Sequence, residues 1–300
     1  MTKHYLVLDF GGSSVKCAVM TSDACIVEQF SVESQAESYQ QWIESFAPVF
    51  ERYSLSYRFE GIAISSCGAV DVDSGYIHGA SSLPYIHGID VRALFQSKFE
   101  LPTELENDAC CAALAEAWLG AGAHSNYFCT AVIGSGIGGA IVSGQQVLKG
   151  HHLHGGEFGF AISEYRDGMP VTWGQLASTR ALVESAARAL NLSSNDLNGQ
   201  EVFRLYDKGD QLVTDVVEQW FLHLAVGIYN IQYHVDPELI LLGGAVSKRE
   251  GFVAKINQKL DGILEQLPIS KVRPVVKVSK YGNDANLIGA LKHFLNRQGS

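Results

Sequence analysis

The residues predict an α/β protein of duplicated halves, two lobes around a central cleft, and three observations carry that expectation. A strand, glycine turn and strand open the chain at "YLVLDFGGSSVKCAVM" and return at "FCTAVIGSGIGGAIVSGQQVL". A third glycine turn, "LILLGGAVS", follows an amphipathic helix over 213–235. No Pro/Gly/Ser-rich linker separates the halves, which points to a continuous two-lobed body. A chain of 300 residues is long enough to bury a substantial core.

In order, 6–9, 16–20 and 26–32 read as strands, joined by the glycine turn and by Thr21-Ser22-Asp23. Tyr39, Trp42, Ile43, Phe46 and Phe50 fall on one face of a helix over 39–52. "EGIAISSCGAVD" is a buried strand that ends in small and polar residues. Leu105 lies in a short strand leading into "ENDACCAALAEAW", whose alanines favour helix. The polar stretch 191–199 reads as a loose surface loop. The expected lobes are 1–115, with a C-terminal helix over 285–297 packing back on it, and 116–284.

Composition narrows the function. The formal charge is −10, from 22 Lys and Arg against 32 Asp and Glu. An extended nucleic-acid footprint needs a basic face, so no nucleic-acid partner is expected. No apolar stretch approaches the roughly 20 residues of a membrane span, and no signal-peptide pattern precedes the first strand. Six cysteines (Cys17, Cys25, Cys67, Cys110, Cys111, Cys129) form no CxxC pair and read as free thiols of a cytoplasmic protein.

The glycine turns are where chemistry is expected. Gly11-Gly12-Ser13 and Gly134-Ser135-Gly136-Ile137-Gly138-Gly139 each set a hydroxyl among glycines, so that backbone N–H groups can face a phosphate. Neither fits GxxxxGK[ST], and neither is a GxGxxG opening directly into a helix. Facing each other, two such hairpins would clamp a nucleotide's phosphates, with Asp9 helping to hold a hydrated Mg²⁺. Glu106-Asn107-Asp108, at a strand end before a helix, offers either a base for phosphoryl transfer or simply a helix N-cap.

Together, Asp9-Phe-Gly-Gly-Ser-Ser-Val-Lys16, Glu106-Asn-Asp-Ala109, Gly134-Ser-Gly-Ile-Gly-Gly139 and Gly156-Glu-Phe-Gly159 resemble the ROK family of sugar kinases in order and spacing. "LLGGAV" and "NDANLIGAL" extend the likeness over nearly the whole chain. The resemblance implies an actin-like ATPase (ribonuclease H-like) fold, ATP with Mg²⁺, a sugar acceptor and a homodimer. It makes Asp108 the catalytic base, and Gly68, Asn107 and Glu157 sugar-side residues. Asp9, Gly11, Gly12, Ser13, Lys16, Gly134, Ser135, Gly136, Gly138, Gly243 and Gly244 become nucleotide-side residues. Ser13 stands where the family usually has threonine.

Two departures bear on the substrate. ROK kinases commonly follow this glutamate motif with a histidine and a CxCGxxGC zinc cluster. Here Phe160 takes the first place, and "AISEYRDGMPVTWGQLASTRALVE" holds no cysteine, so no zinc site is expected. His151, His152 and His154 lack companions at ligand spacing and read as loop residues. The family histidine serves the anomeric end of the sugar. Phe160 in its place either faces substrate, offering a stacking surface to a β-glucoside, or packs in the core. The resemblance is to β-glucoside kinases first, with glucokinases and amino-sugar kinases as alternatives. A ROK-type repressor would need an N-terminal helix-turn-helix, for which no room is expected before the first strand. A kinase-fold sugar sensor is the remaining rival.

Overall fold

The computed structural model describes residues 2–81 and 83–299. They form two compact units: the chain through Leu119 with Lys149–His154 and the residues from Asn283, and Gly120–Leu148 with Gly155–Gly282.

The first unit begins with β1 (His4–Phe10), β2 (Ser14–Thr21) and β3 (Ile26–Glu33), an antiparallel meander whose first turn is the Gly-Gly-Ser segment. Two helices follow, α1 (Tyr39–Glu44) and α2 (Ala47–Ser54), where the spacing predicts a single one. Pro48 explains the break: it has no N–H to donate and its ring clashes with the carbonyl of Glu44. The apolar side chains still turn inward, Trp42 and Phe46 packing edge-on to one another and against Phe95.

Next come β4 (Phe59–Ser66), β5 (Ala69–Val70), β6 (Ile77–His78), α3 (Val91–Phe99), β7 (Thr103–Asn107) and α4 (Asp108–Leu119). The sheet runs β3-β2-β1-β4-β7, with β1, β4 and β7 parallel. Register brings Asp9 beside Ser65, Ser65 beside Glu106 and Ser66 beside Asn107. Polar residues thus collect at the carboxyl ends of parallel strands, where open α/β sheets bind ligands.

The second unit repeats the plan. It holds β8 (Tyr127–Ile133), β9 (Ile137–Ser143), β10 (Gln146–Val147), the hairpin β11 (Ile162–Arg166) and β12 (Met169–Thr172), and helices α5 (Trp173–Ala177), α6 (Thr179–Leu190), α7 (Gly199–Asp207) and α8 (Gln211–Val235). After them come β13 (Leu239–Gly243), α9 (Phe252–Gln266) and β14 (Val276–Val278). The sheet order β10-β9-β8-β13-β14 is that of the first sheet, again with an antiparallel meander and two parallel additions. The polar stretch before α7 is less loose than its composition predicts: it contains a 3-10 turn at Ser194–Asp196, and Leu197 is buried in the core.

The chain returns to the first unit with α10 (Ala285–Gln298), which packs across α4 and over β4. Gly289 allows the crossing, since a Cβ there would lie 1.7 Å from the carbonyl oxygen of Cys111. Alanine in a helix is favoured over glycine by about 1 kcal/mol. A clash with backbone outweighs that, because no rotamer relieves it. Gly289→Ala is therefore expected to destabilise the protein by about 1–3 kcal/mol in denaturant titration; equal or greater stability would show that α10 does not depend on this close approach.

Candidate active site

In the first unit, the strand β7 ends at Asn107 and α4 starts at Asp108, and this junction divides two roles that the sequence leaves open. Asn107 is the cap: its Oδ1 accepts the Cys110 N–H at 3.1 Å. Its Nδ2 donates to the Gly68 carbonyl and to Asp108 Oδ1, both at 3.0 Å. Asp108 Oδ1 also accepts the Ala109 N–H at 2.8 Å. These bonds all fall on one oxygen of Asp108, so the lone pairs of Oδ2 are not committed by them. Asn107, with both amide hydrogens spent, keeps one lone pair of Oδ1 outside these bonds.

Burial pushes the Asp108 carboxyl above its ordinary pKa, and the nearby Asp9 charge adds to the rise, against the opposing Ala109 and Asn107 bonds. Asp9 is raised too, mainly by burial, and is steadied by Ser65 Oγ at 2.8 Å, Asn286 Nδ2 at 3.1 Å and the charge of Lys16. Lys16 reaches the Asn283 carbonyl at 2.6 Å. Gly12 and Ser13 are exposed in the turn between β1 and β2, and Ser34 Oγ holds the Gly11 carbonyl at 2.6 Å.

The second unit assembles three glycine segments. The Gly134–Gly136 turn closes on itself through Gly134 N–H to Gly136 O at 2.9 Å. Helix α6 braces it, Thr179 N–H donating to Gly134 O at 2.8 Å and Arg180 Nε to Ser135 O at 3.0 Å. Gly138, expected in the turn, lies within β9 opposite Val132 instead. Gly243 ends β13, and Gly244 has φ +92 and lies so near Ile133 that a Cβ would meet its carbonyl oxygen at 2.1 Å. The Gly156–Gly159 motif packs on β9, with the Cβ position of Gly159 2.0 Å from Ile137 O. Glu157 stands at the start of the 3-10 turn that ends at Phe160.

Phe160 is 72% exposed, so it is not a core residue. It lines a groove of about 610 Å³ together with Gly136, Arg166, Gln175 and Arg180. In the cysteine-free segment after it, Thr172 and Gln175 form a capping box at α5, and Trp173 N–H bonds Ala161 O at 2.8 Å. Trp173 is buried, and its Nε1 donates to His223 O at 2.9 Å. Among the described residues, no group of three or more His, Cys, Asp or Glu is placed to hold a metal ion. His151 and His152 stack edge-on to one another.

Sequence reasoning missed Ser65 and Asn286 beside Asp9, Arg180 on the second turn, and Lys149, whose Nζ lies 2.5 Å from Glu106. Asn286 stands within "NDANLIGAL" and is visible as part of that motif. Lys149 pairs with a residue 43 positions away, for which no local pattern exists.

The ROK family profile matches residues 5–297, and this chain belongs to the ROK family. It is 31% identical over 294 residues to a β-glucoside kinase of Klebsiella pneumoniae, spanning 95% of this chain and 94% of the relative. It is 26% identical to a glucokinase of Halalkalibacterium halodurans, over 95% and 93% of the two chains. Among solved structures, a ROK family protein of Streptococcus pneumoniae in complex with sucrose superposes with a TM-score of 0.90 at 32% identity, covering 100% of this chain and 99% of that one. The fold is the actin-like ATPase fold of this family, and the chain is an ATP-dependent carbohydrate kinase.

A carboxyl whose folded pKa is raised costs stability once the unfolded chain has ionised it. That cost is absent below the ordinary carboxylate range near pH 4, grows as pH rises through it, and levels off above the folded pKa. Asp108→Asn is therefore expected to melt higher than the parent at pH 7 without ligands, the gap closing toward pH 3–4. Melting curves across that range that show no gain at pH 7 would contradict the burial penalty.

Proposed function

We propose that this kinase phosphorylates the 6-hydroxyl of a glucosyl unit in a β-glucoside such as cellobiose, with Asp108 as the base. The carrying observation is Phe160, whose ring is exposed on a groove where ROK kinases commonly place a histidine for the anomeric end. A site that bonds a free hydroxyl rejects analogues lacking it, because its polar groups are left unpaired. Without that partner the reason to reject a substituted C1 is gone, and an aromatic face can stack on a second ring for about 1 kcal/mol. The β-glucoside kinase of K. pneumoniae supports the same reading.

In this proposal the N–H groups of Gly11, Gly12 and Ser13, and of Gly134, Ser135 and Gly136, receive the phosphates of ATP, with Lys16 as a point charge. Gly138 supports the second turn from its strand, and Gly243 and Gly244 serve the adenosine side. Gly68, Asn107 and Glu157 hold sugar hydroxyls. Asp9 fits a Mg²⁺ site: Mg²⁺ takes oxygen ligands, keeps several waters and needs only one or two carboxylates, and Asp9 is a buried carboxylate that a cation would relieve. When bound, the metal neutralises charge on the phosphate oxygens. Asp108 takes the proton of the attacking hydroxyl, and its raised pKa makes it a stronger base than an exposed aspartate. The acidic surface charge and the family resemblance support a cytoplasmic homodimer acting on small molecules rather than nucleic acid.

Asp108→Asn is expected to lower kcat by about 10²–10⁴ while calorimetric affinities for ATP and glycoside stay within a few-fold. A variant keeping more than about a tenth of the parent rate would make Asp108 a structural residue. For the acceptor, kcat/KM for cellobiose or salicin is expected to exceed that for glucose by at least about tenfold. Phe160→His should shift the ratio back toward free glucose. Equal or better efficiency on glucose or N-acetylmannosamine would overturn the β-glucoside assignment and leave a hexokinase-type enzyme.

A further inference from the structure

Below the Asn107–Asp108 junction lies an ion pair that no step above uses. Lys149 and Glu106 have side chains only 12% and 4% exposed, with Nζ 2.5 Å from Oε1. The same Oε1 accepts the Asn107 N–H at 2.6 Å. The ammonium has a second bond, 2.6 Å to the Val70 carbonyl on β5. Val70 is two residues from Gly68, whose carbonyl holds the Asn107 amide. One ammonium therefore ties down both ends of the bridge that Asn107 makes between the Gly68 turn and β7.

The other groups near Glu106 do not share this work. His293 Nδ1 is 3.8 Å from Oε2, beyond hydrogen-bond distance, and burial pushes that histidine down to about 3, so it is neutral. Arg297 attracts Glu106 only from a distance, its own contacts going to Asp73, the Val72 carbonyl and Glu104, whose Oε2 lies 3.5 Å from its Nε. Among the described residues, Lys149 is the only cation hydrogen-bonded to Glu106. A buried carboxylate left without its cation turns away to reach water or another donor, and the Asn107 peptide that it holds is then released.

We propose that Lys149 is a positioning residue for phosphoryl transfer, acting through Glu106 and the Asn107 peptide on the aim of Asp108. This rests on the reading of Asp108 as the base. A misplacement of about 1 Å at a reacting group costs on the order of 10²-fold in rate without weakening substrate binding.

The test is steady-state kinetics on the full chain with ATP and cellobiose, comparing Lys149→Met, Lys149→Arg and the double variant Glu106→Gln with Lys149→Met, with Asp108→Asn in parallel. Lys149→Met is expected to lower kcat by about 10–100-fold with both KM values within about threefold. Lys149→Arg should stay within about fivefold of the parent. The double variant should fall within about tenfold of it, because the neutral carboxamide oxygen that replaces the carboxylate still accepts the Asn107 N–H and needs no cation. If Lys149→Met does not fold, the double variant decides: a rate within that tenfold supports the proposal, and a lower one overturns it. A folded Lys149→Met with parental kcat, or one whose loss is all in KM, also overturns it. If Asp108→Asn itself stays active, the base assignment fails instead, and the kinetics of the two variants keep those failures apart.

Discussion

Three carboxylates gathered at the carboxyl ends of the parallel strands β1 and β7, on either side of β4, are the constraint around which the first unit is built. Asp9 on β1, Glu106 on β7 and Asp108 at the start of α4 are each raised in pKa by burial, and Asp9 adds to the rise at Asp108. Left alone, such groups would take up protons or draw in water. Each instead has its own tether: Ser65 and Asn286 for Asp9, Lys149 for Glu106, and the Ala109 N–H with the Asn107 amide for Asp108. Asn107 joins the set, since one side chain caps α4, grips the Gly68 turn and orients the proposed base. Helix α10 matters for the same reason. It delivers Asn286, and it can do so because Gly289 lets it lie against α4.

The second unit meets a different requirement, close approach of backbone to backbone. Its turn at Gly134–Gly136 is braced from α6, the Gly243–Gly244 segment presses on Ile133 beside it, and the Gly156–Gly159 motif presses on Ile137. The segment after Phe160 is closed by a capping box at α5 and the buried Trp173.

Much of this is legible in the residues because the informative features are local. The two strand–turn–strand units, the glycines and the Glu-Asn-Asp triplet are contiguous, and duplication shows in their repetition. The segment 39–52 reads as one helix because Pro48 acts on a carbonyl four residues back, which the apolar spacing does not register. Gly138 reads as part of a turn because glycine runs do not mark where a strand resumes. The choice between cap and base at the triplet needs coordinates, which assign the cap to Asn107. Ser65, Arg180 and Lys149 are invisible for one reason: each acts across a long sequence separation, and a lone serine, arginine or lysine carries no periodic signature.

The central claim is that the geometry at the β7–α4 junction leaves Asp108 Oδ2 for the acceptor. A crystal structure with cellobiose and a non-hydrolysable ATP analogue tests it most directly. The account predicts the 6-hydroxyl oxygen of the non-reducing glucosyl ring within about 2.6–3.2 Å of the Asp108 carboxylate. A bound sugar whose 6-hydroxyl lies away from Asp108, with both carboxylate oxygens turned to α4, would contradict it.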